Sequence, residues 1–218
     1  MRARSLRVGS NPRGPRRGVR HGASRLEDSL EARGRRFFRD LPTLRTERLT
    51  LRRMIPHDAE DMYAYARDPE VARYMLWEAH RSLRDTQNFL RFVQERYSRG
   101  DPAGWGIVER ESGKFIGTCG LQENWRPEDA RAEIGYVLSR VYWGRGLMTE
   151  AVAAVLDAAF ERLGLNRIEA RCISGNDASV RVLQKVGMSY EGTSRSSHFV
   201  KGEFRDLRHY AILREEFS

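Results

Sequence analysis

The segment Ala132–Leu163, AEIGYVLSRVYWGRGLMTEAVAAVLDAAFERL, constrains this chain more than any other. Its first part alternates: Ile134, Tyr136 and Leu138 fall on one side, Glu133, Gly135 and Val137 on the other, as a half-buried strand requires. Gly144 and Gly146 then bracket Arg145. Beyond them Leu147, Ala151, Val155, Ala159 and Leu163 recur every fourth residue, flanked by Met148, Val152, Leu156 and Phe160. That wide apolar stripe predicts a buried helix, ended by Gly164 where helices commonly stop.

The joint carries the chemistry. A helix N-terminus presents unpaired N–H groups and a partial positive charge, so it attracts phosphate. Glycines in front of it let an anion approach the backbone closely. The alternative is that Gly-x-Gly only turns the chain before a packed helix. The loop lacks the Gly-Lys-Ser/Thr ending of a nucleotide-hydrolysing P-loop and the third glycine of a dinucleotide fingerprint.

Elsewhere the pattern alternates helices and strands. Leu49 and Leu51 mark a first strand over residues 44–53, and Pro56-His57-Asp58 opens a helix through Asp68. Asp68-Pro69 restarts a short helix holding Val71, Tyr74 and Met75, and Ser82 caps a further one through Tyr97. Strands follow at 105–109 and 115–121, at 167–173, and as a final pair at about 190–199 and 204–213. A helix over about 178–186 is stopped by Gly187. Cys119 and Cys172 both fall inside strands, with no Cys-x-x-Cys and no His/Cys cluster. They therefore read as core thiols of a reducing cytoplasm, with no structural zinc and no other metal. No apolar run approaches the length of a membrane span.

Charge is placed unevenly. The formal net charge of the 218 residues is +9, yet residues 1–40 alone carry twelve Arg against four acids. The remainder is nearly neutral, so inferences from basicity belong to the N-terminal segment. That segment is rich in Arg, Gly and Ser and poor in apolar residues, which predicts disorder over 1–40 and a folded domain over 41–218. A basic arm that neutralises ribosomal RNA phosphates, an organelle leader and an upstream start of the reading frame all fit its composition.

EIGYVL, YWGRGLMTEA and NDASVRVLQKVGM, in that order and spacing, resemble the GCN5-related N-acetyltransferases (GNAT). Within them the chain is most similar to the RimJ/RimL-like branch, which acetylates ribosomal-protein N-termini. TLRTERLTLRRM and RDLRHYAILREEF fit that branch too, so the resemblance spans about residues 41–218. It implies an α/β (α+β) fold with a mixed central sheet, a splayed parallel strand pair and flanking helices, and acetyl-coenzyme A as co-substrate. The acceptor it implies is a primary amine, first of all a protein N-terminal α-amine and otherwise a small-molecule amine such as an antibiotic or polyamine. A non-catalytic acyl-coenzyme A or RNA-binding protein is the reading from another class. A soluble monomer or homodimer is expected.

Carried over residue by residue, the resemblance gives Gly144, Arg145, Gly146, Leu147, Met148 and Thr149 to the pyrophosphate. It gives the Leu138 backbone and Asn176 to the pantetheine arm. The Gln or Arg that usually precedes the loop is Val141 here. The tyrosine that many members place seven residues after the Asn is Leu183, which cannot donate a proton. Three residues after the Asn, the resemblance to the RimL-like branch gives Ser179 the role of acid toward the departing thiolate, with a helix-start residue contacting backbone as its structural alternative. Glu133 is the candidate base, with an ion pair to a neighbouring Arg as its structural alternative, and Asp206 is a second candidate. Trp77, Trp105, Trp125 and His198 are the candidates for lining an acceptor groove, with packing in the core as the alternative for isolated aromatics.

Overall fold

The computed structural model describes residues 29–121 and 124–217. Eight strands form one mixed sheet in the order β1-β2-β3-β4-β5-β6-β8-β7. They are β1 (Leu44–Arg45), β2 (Leu49–Arg52), β3 (Gly104–Glu109), β4 (Phe115–Leu121), β5 (Arg131–Leu138), β6 (Arg167–Ile173), β7 (Ser189–Val200) and β8 (Glu203–Leu213). All neighbours are antiparallel except β5 and β6. The helices are α1 (Leu30–Arg39), α2 (Ala59–Ala66), α3 (Pro69–Ala72), α4 (Leu83–Arg99), α5 (Leu147–Ala158) and α6 (Asp177–Lys185). The expected mixed sheet with one parallel pair is therefore the observed one. The expected single first strand is instead a tight β1–β2 hairpin, closed where the Thr46 hydroxyl accepts the Leu49 N–H at 3.0 Å.

The order of residues 30–40 corrects the expectation of a disordered segment reaching Asp40. Ser29 caps α1 by accepting the Ala32 N–H at 3.1 Å, and Phe38 is fully buried. Gly34 lies directly beneath Trp125, where an added Cβ would stand 2.5 Å from the indole. Only glycine lets the helix come that close. Leu30, Gly34, Phe37 and Phe38 thus make an apolar face at helical spacing, hidden in the sequence by the arginines around it. Arg33 of α1 also donates to the Leu163 carbonyl at 3.1 Å, at the end of the π-helical turn (Ala159–Leu163) that continues α5. The rest of the expected tail, residues 1–28, lies outside the described residues.

The core explains the remaining aromatics. Trp105 is fully buried and donates its indole N–H to the Pro42 carbonyl at 2.6 Å; Trp125 packs edge-on against Phe38. Neither lines a groove. Both cysteines are free and buried, and burial pushes both thiols above the usual range, as suits packing residues. Among the described residues no helix is long and apolar enough to cross a membrane.

Candidate active site

The site begins where the parallel pair parts. β5 and β6 are in register only at Arg131 with Arg167, Ala132 with Ile168 and Glu133 with Glu169. Beyond that point β5 stays on β4 through Leu138, while β6 stays on β8 through Ile173. A seam opens between them with backbone groups on its edge. Into it leads a cavity of about 370 Å³, lined by Tyr136, Val137 and Leu138 of β5, by the glycine loop and by one face of α6.

The loop has the geometry that its glycines permit. Gly144 and Gly146 both sit at φ 77°, the left-handed region that side chains with a Cβ rarely adopt. An added Cβ at Gly144 would meet nothing within 4 Å, and at Gly146 only the end of the Arg48 side chain at 3.6 Å. The requirement for glycine is thus one of backbone conformation, and the space in front of the loop is free. Gly146 caps α5, so the N–H groups of Leu147, Met148 and Thr149 open onto the cavity these residues line. Glu150, which would repel an anion there, is turned away. Its carboxylate accepts from the Thr46 hydroxyl at 2.6 Å and pairs with Arg48 at 2.6 Å. Arg48 also ties down the loop through the Arg145 carbonyl at 2.9 Å. The Arg145 side chain itself pairs with Glu109 at 3.7 Å and lies over the Tyr142 ring, outside the cavity lining.

Asn176, which also lines the cavity, is the N-cap of α6. Its Oδ1 accepts the Ser179 N–H at 3.2 Å, which leaves its amide nitrogen for a ligand. The Ser179 Oγ stands 2.8 Å from the Tyr136 hydroxyl, and the Ser179 carbonyl 3.3 Å from it. A carbonyl only accepts, so the phenol hydrogen points toward Ser179. The single phenol hydrogen cannot serve both partners, so in the 2.8 Å contact either hydroxyl can be the donor. Burial pushes the Tyr136 phenol well above its ordinary range, although the bond to Ser179 works the other way. Leu183 is fully buried, a core residue of α6.

The opposite face of the seam is different in kind. Glu133 and Tyr136 are three residues apart on one strand and so point to opposite sides of it. The Glu133 carboxylate is gripped by Arg171 through two bonds of 2.9 Å and accepts from the Asn124 amide as well. It lines a second cavity of about 220 Å³ with Arg167, Glu169, Glu191 and His209. Here Arg167 forks between Glu169 and Glu191, each at 2.8 Å. The bond to Glu191 raises the Arg167 pKa and lowers that of Glu191. The ion pair foreseen as the structural alternative for Glu133 is therefore present, and its partner Arg171 is on the neighbouring strand.

Among the remaining candidates, Asp206 accepts the Ser196 N–H at 2.7 Å in a bulge of the β7–β8 hairpin, outside both cavities. His198 pairs in register with Arg205 on the same hairpin, and Trp77 packs against His80. The aromatics that do line the main cavity are Tyr74, Tyr136, Tyr142 and Trp143. Sequence reasoning did not single them out for it. Trp143 donates its indole N–H to the Leu138 carbonyl at 2.8 Å, which holds the rim of the seam in place. Among the described residues no group of three or more His, Cys, Asp or Glu could hold a metal ion.

A parallel pair that splays beside a glycine-capped helix is the arrangement that the resemblance to the GNAT acetyltransferases implies. Residues 48–189 match the acetyltransferase (GNAT) domain family, and the chain belongs to it. It is 35% identical over 178 residues to the uncharacterized N-acetyltransferase p20 of Bacillus licheniformis, covering 82% of this chain and 99% of that one. An acetyltransferase of the GNAT family from Bacillus anthracis superposes with a TM-score of 0.72 at 28% identity, over 80% of this chain and all of the other. RimL, a ribosomal L7/L12 α-N-protein acetyltransferase solved with coenzyme A, has the same fold, with a TM-score of 0.71 at 19% identity over 79% of this chain and 98% of its own. The protein is an N-acetyltransferase of the GNAT family.

Proposed function

We propose that this enzyme transfers acetyl from acetyl-coenzyme A directly to a protein N-terminal α-amine, in a ternary complex in a reducing cytoplasm. One observation carries the reading: a backbone-lined anion cradle opens into a cavity that ends at two hydroxyls beside the parted strands. Acetyl-coenzyme A supplies the activated acetyl group. The N–H groups of Leu147, Met148 and Thr149 hold its pyrophosphate at the start of α5, where the helix dipole adds to their pull. The Leu138 backbone and the Asn176 amide nitrogen orient the pantetheine arm. Ser179 holds a proton at Oγ for the departing thiolate, and Tyr136 positions that hydroxyl through the 2.8 Å contact between them. Glu133, across the seam, accepts the amine's proton at its carboxylate once Arg171 yields.

The α-amine follows from how little base strength the site offers. An α-amino group has a pKa of about 7.7–8.0 and lysine about 10.4, so near pH 7.4 roughly a quarter of α-amines are neutral against about one lysine in a thousand. A single carboxylate held by an arginine suits the easier of these tasks. That a structural neighbour is described as an α-N-protein acetyltransferase supports the same choice. A peptide panel read by thiol release tests it. Peptides with a free, small N-terminal residue should react far faster than the same peptides blocked at the N-terminus and carrying one lysine. A panel in which only lysine or only small amines such as polyamines react overturns this reading.

A further inference from the structure

We propose that helix α1 serves the acceptor side of the reaction: through Trp125 it sets Asn124, and Asn124 holds the Glu133 carboxylate so that Oε1 receives the acceptor's proton. The inference rests on the reading of Glu133 as the base. The Asn124 amide donates to Oε2 of Glu133. Arg171 grips both oxygens, with Nε on Oε1 and a terminal nitrogen on Oε2, each at 2.9 Å. Two donors therefore hold Oε2 and one holds Oε1. Once Arg171 yields, Oε2 keeps its amide and Oε1 is bare. An ammonium N–H of the acceptor can then break with its proton moving to Oε1 and its electron pair staying on nitrogen. The other charges on this cavity are Glu169, beside Glu133 in the register of the parallel pair, and Arg167, Glu191 and His209. A neutral amide fixes the carboxylate's orientation without itself competing for the proton.

Asn124 is exposed, and its neighbours keep it in place. The indole of Trp125 lies against two residues of α1. An added Cβ at Gly34 would stand 2.5 Å from it, and Phe38 meets it edge-on with ring centroids 5.6 Å apart. Arg126 bridges Arg131 at the start of β5 through backbone bonds of 2.9 and 3.1 Å. Helix α1 is itself anchored by the buried Phe38 and by Arg33 on the Leu163 carbonyl. A chain of packed groups thus runs from α1 through Trp125 and Asn124 to Glu133. The acetyltransferase family matches residues 48–189, so α1 (Leu30–Arg39) lies outside the matched segment. Covering the core accounts for Phe37 against Trp105, but it asks for no glycine under Trp125. Glycine is a poor helix former, and here it brings α1 down on the residue next to Asn124.

Acceptor kinetics and coenzyme A calorimetry on full-length N124A, W125A and G34A test this. With a peptide acceptor, N124A should lower kcat/KM about two- to tenfold at pH 6.5 and less than about twofold near pH 9, where the amine is already neutral. Its coenzyme A Kd should stay at the wild-type value. W125A should show the same profile, and N124A/W125A should be no slower than N124A, because Trp125 acts through the asparagine. G34A makes α1 a better helix while its Cβ displaces the indole, so it should fold and show the same defect in milder form. It decides the matter if W125A does not fold. A helix that only covers the core would lower stability in these variants and leave the pH profile unchanged. A wild-type profile in G34A, and in W125A where it folds, overturns the part given to α1. A wild-type profile in N124A beside a low-pH defect in E133Q overturns the inference and leaves Glu133 as the base. If E133Q has no pH-dependent defect, the base reading and the inference fall together.

Discussion

The two faces of the β5–β6 seam are built on opposite plans. On the Tyr136 face the open cavity is lined by backbone amides, by hydroxyls that include those of Tyr136 and Ser179, and by the cations Arg181 and Lys185, with Glu70–Arg73 as the ion pair among them. On the Glu133 face every charge of the smaller cavity's central network is already in an ion pair, with Arg171 on Glu133 and Arg167 on Glu169 and Glu191. The first face is ready for a ligand, since fixed dipoles need no rearrangement when charge arrives. The second must break a pair before Glu133 can accept a proton. A donor that is always the same molecule suits a preformed site. On the proposed reading, the amine acceptor is what displaces Arg171 from Glu133.

The largest effect that sharpens this contrast is expected at Gly146. A valine at φ 77° is a steric outlier, and a non-glycine residue in the left-handed region costs about 1–2 kcal/mol before any clash is counted. The loop should leave that conformation and its N–H groups should cease to converge. Losing two hydrogen bonds to a charged group, at about 1.5–3 kcal/mol each, weakens donor binding by about 100-fold or more. Calorimetry on folded G146V checks this. A donor Kd within a few-fold of wild type would show that the donor face is not built from backbone.

The next effect in size concerns the hydroxyl pair. S179A should lower kcat about 10- to 1,000-fold with the KM for acetyl-coenzyme A nearly unchanged, since that proton is needed only as the thiolate leaves. Y136F removes a positioning bond and should lower kcat by about two- to tenfold. The double variant should be no slower than S179A alone, because Tyr136 acts through the serine. Additive losses would give Tyr136 a role of its own; wild-type turnover in S179A would leave Ser179 a structural residue.

The two faces also differ in how far they could be read from the sequence. The Tyr136 face was legible as one cavity lining because its parts are local: a strand, two glycines and a helix stripe lie within Ala132–Leu163, and Asn176 and Ser179 are three residues apart at one helix start. Tyr136 escaped because a tyrosine on the apolar side of a strand reads as core, and its partner is 43 residues away. On the Glu133 face nothing is local. Glu133 meets Arg171 across 38 residues, and Arg167 meets Glu191 across 24. Ion pairs leave no periodicity in a sequence with so many charges, so which acid lies free and which is bound had to come from the fold. Helix α1 was missed for a related reason: its apolar face is completed by Gly34, which reads as a helix breaker until Trp125 is seen above it.

The smallest effect, and the sharpest test of the contrast, is the pH dependence of E133Q. If Glu133 takes the proton of the acceptor, its loss matters only while the acceptor is protonated. With an α-amine pKa of about 7.7–8.0, roughly one acceptor in twenty is neutral at pH 6.5 and about nine in ten near pH 9. The defect of E133Q should therefore be about tenfold at the lower pH and shrink to within twofold at the higher one. R171Q separates this from mere loss of the ion pair. It removes the same pair but keeps the carboxylate, so it should not slow the reaction at low pH, and it should speed binding of the acceptor if Arg171 must yield first. Equal, pH-independent losses in both variants would mean that the Glu133–Arg171 pair only braces the seam. The acceptor face would then be a structural clamp, and the proton would have to leave through some other group.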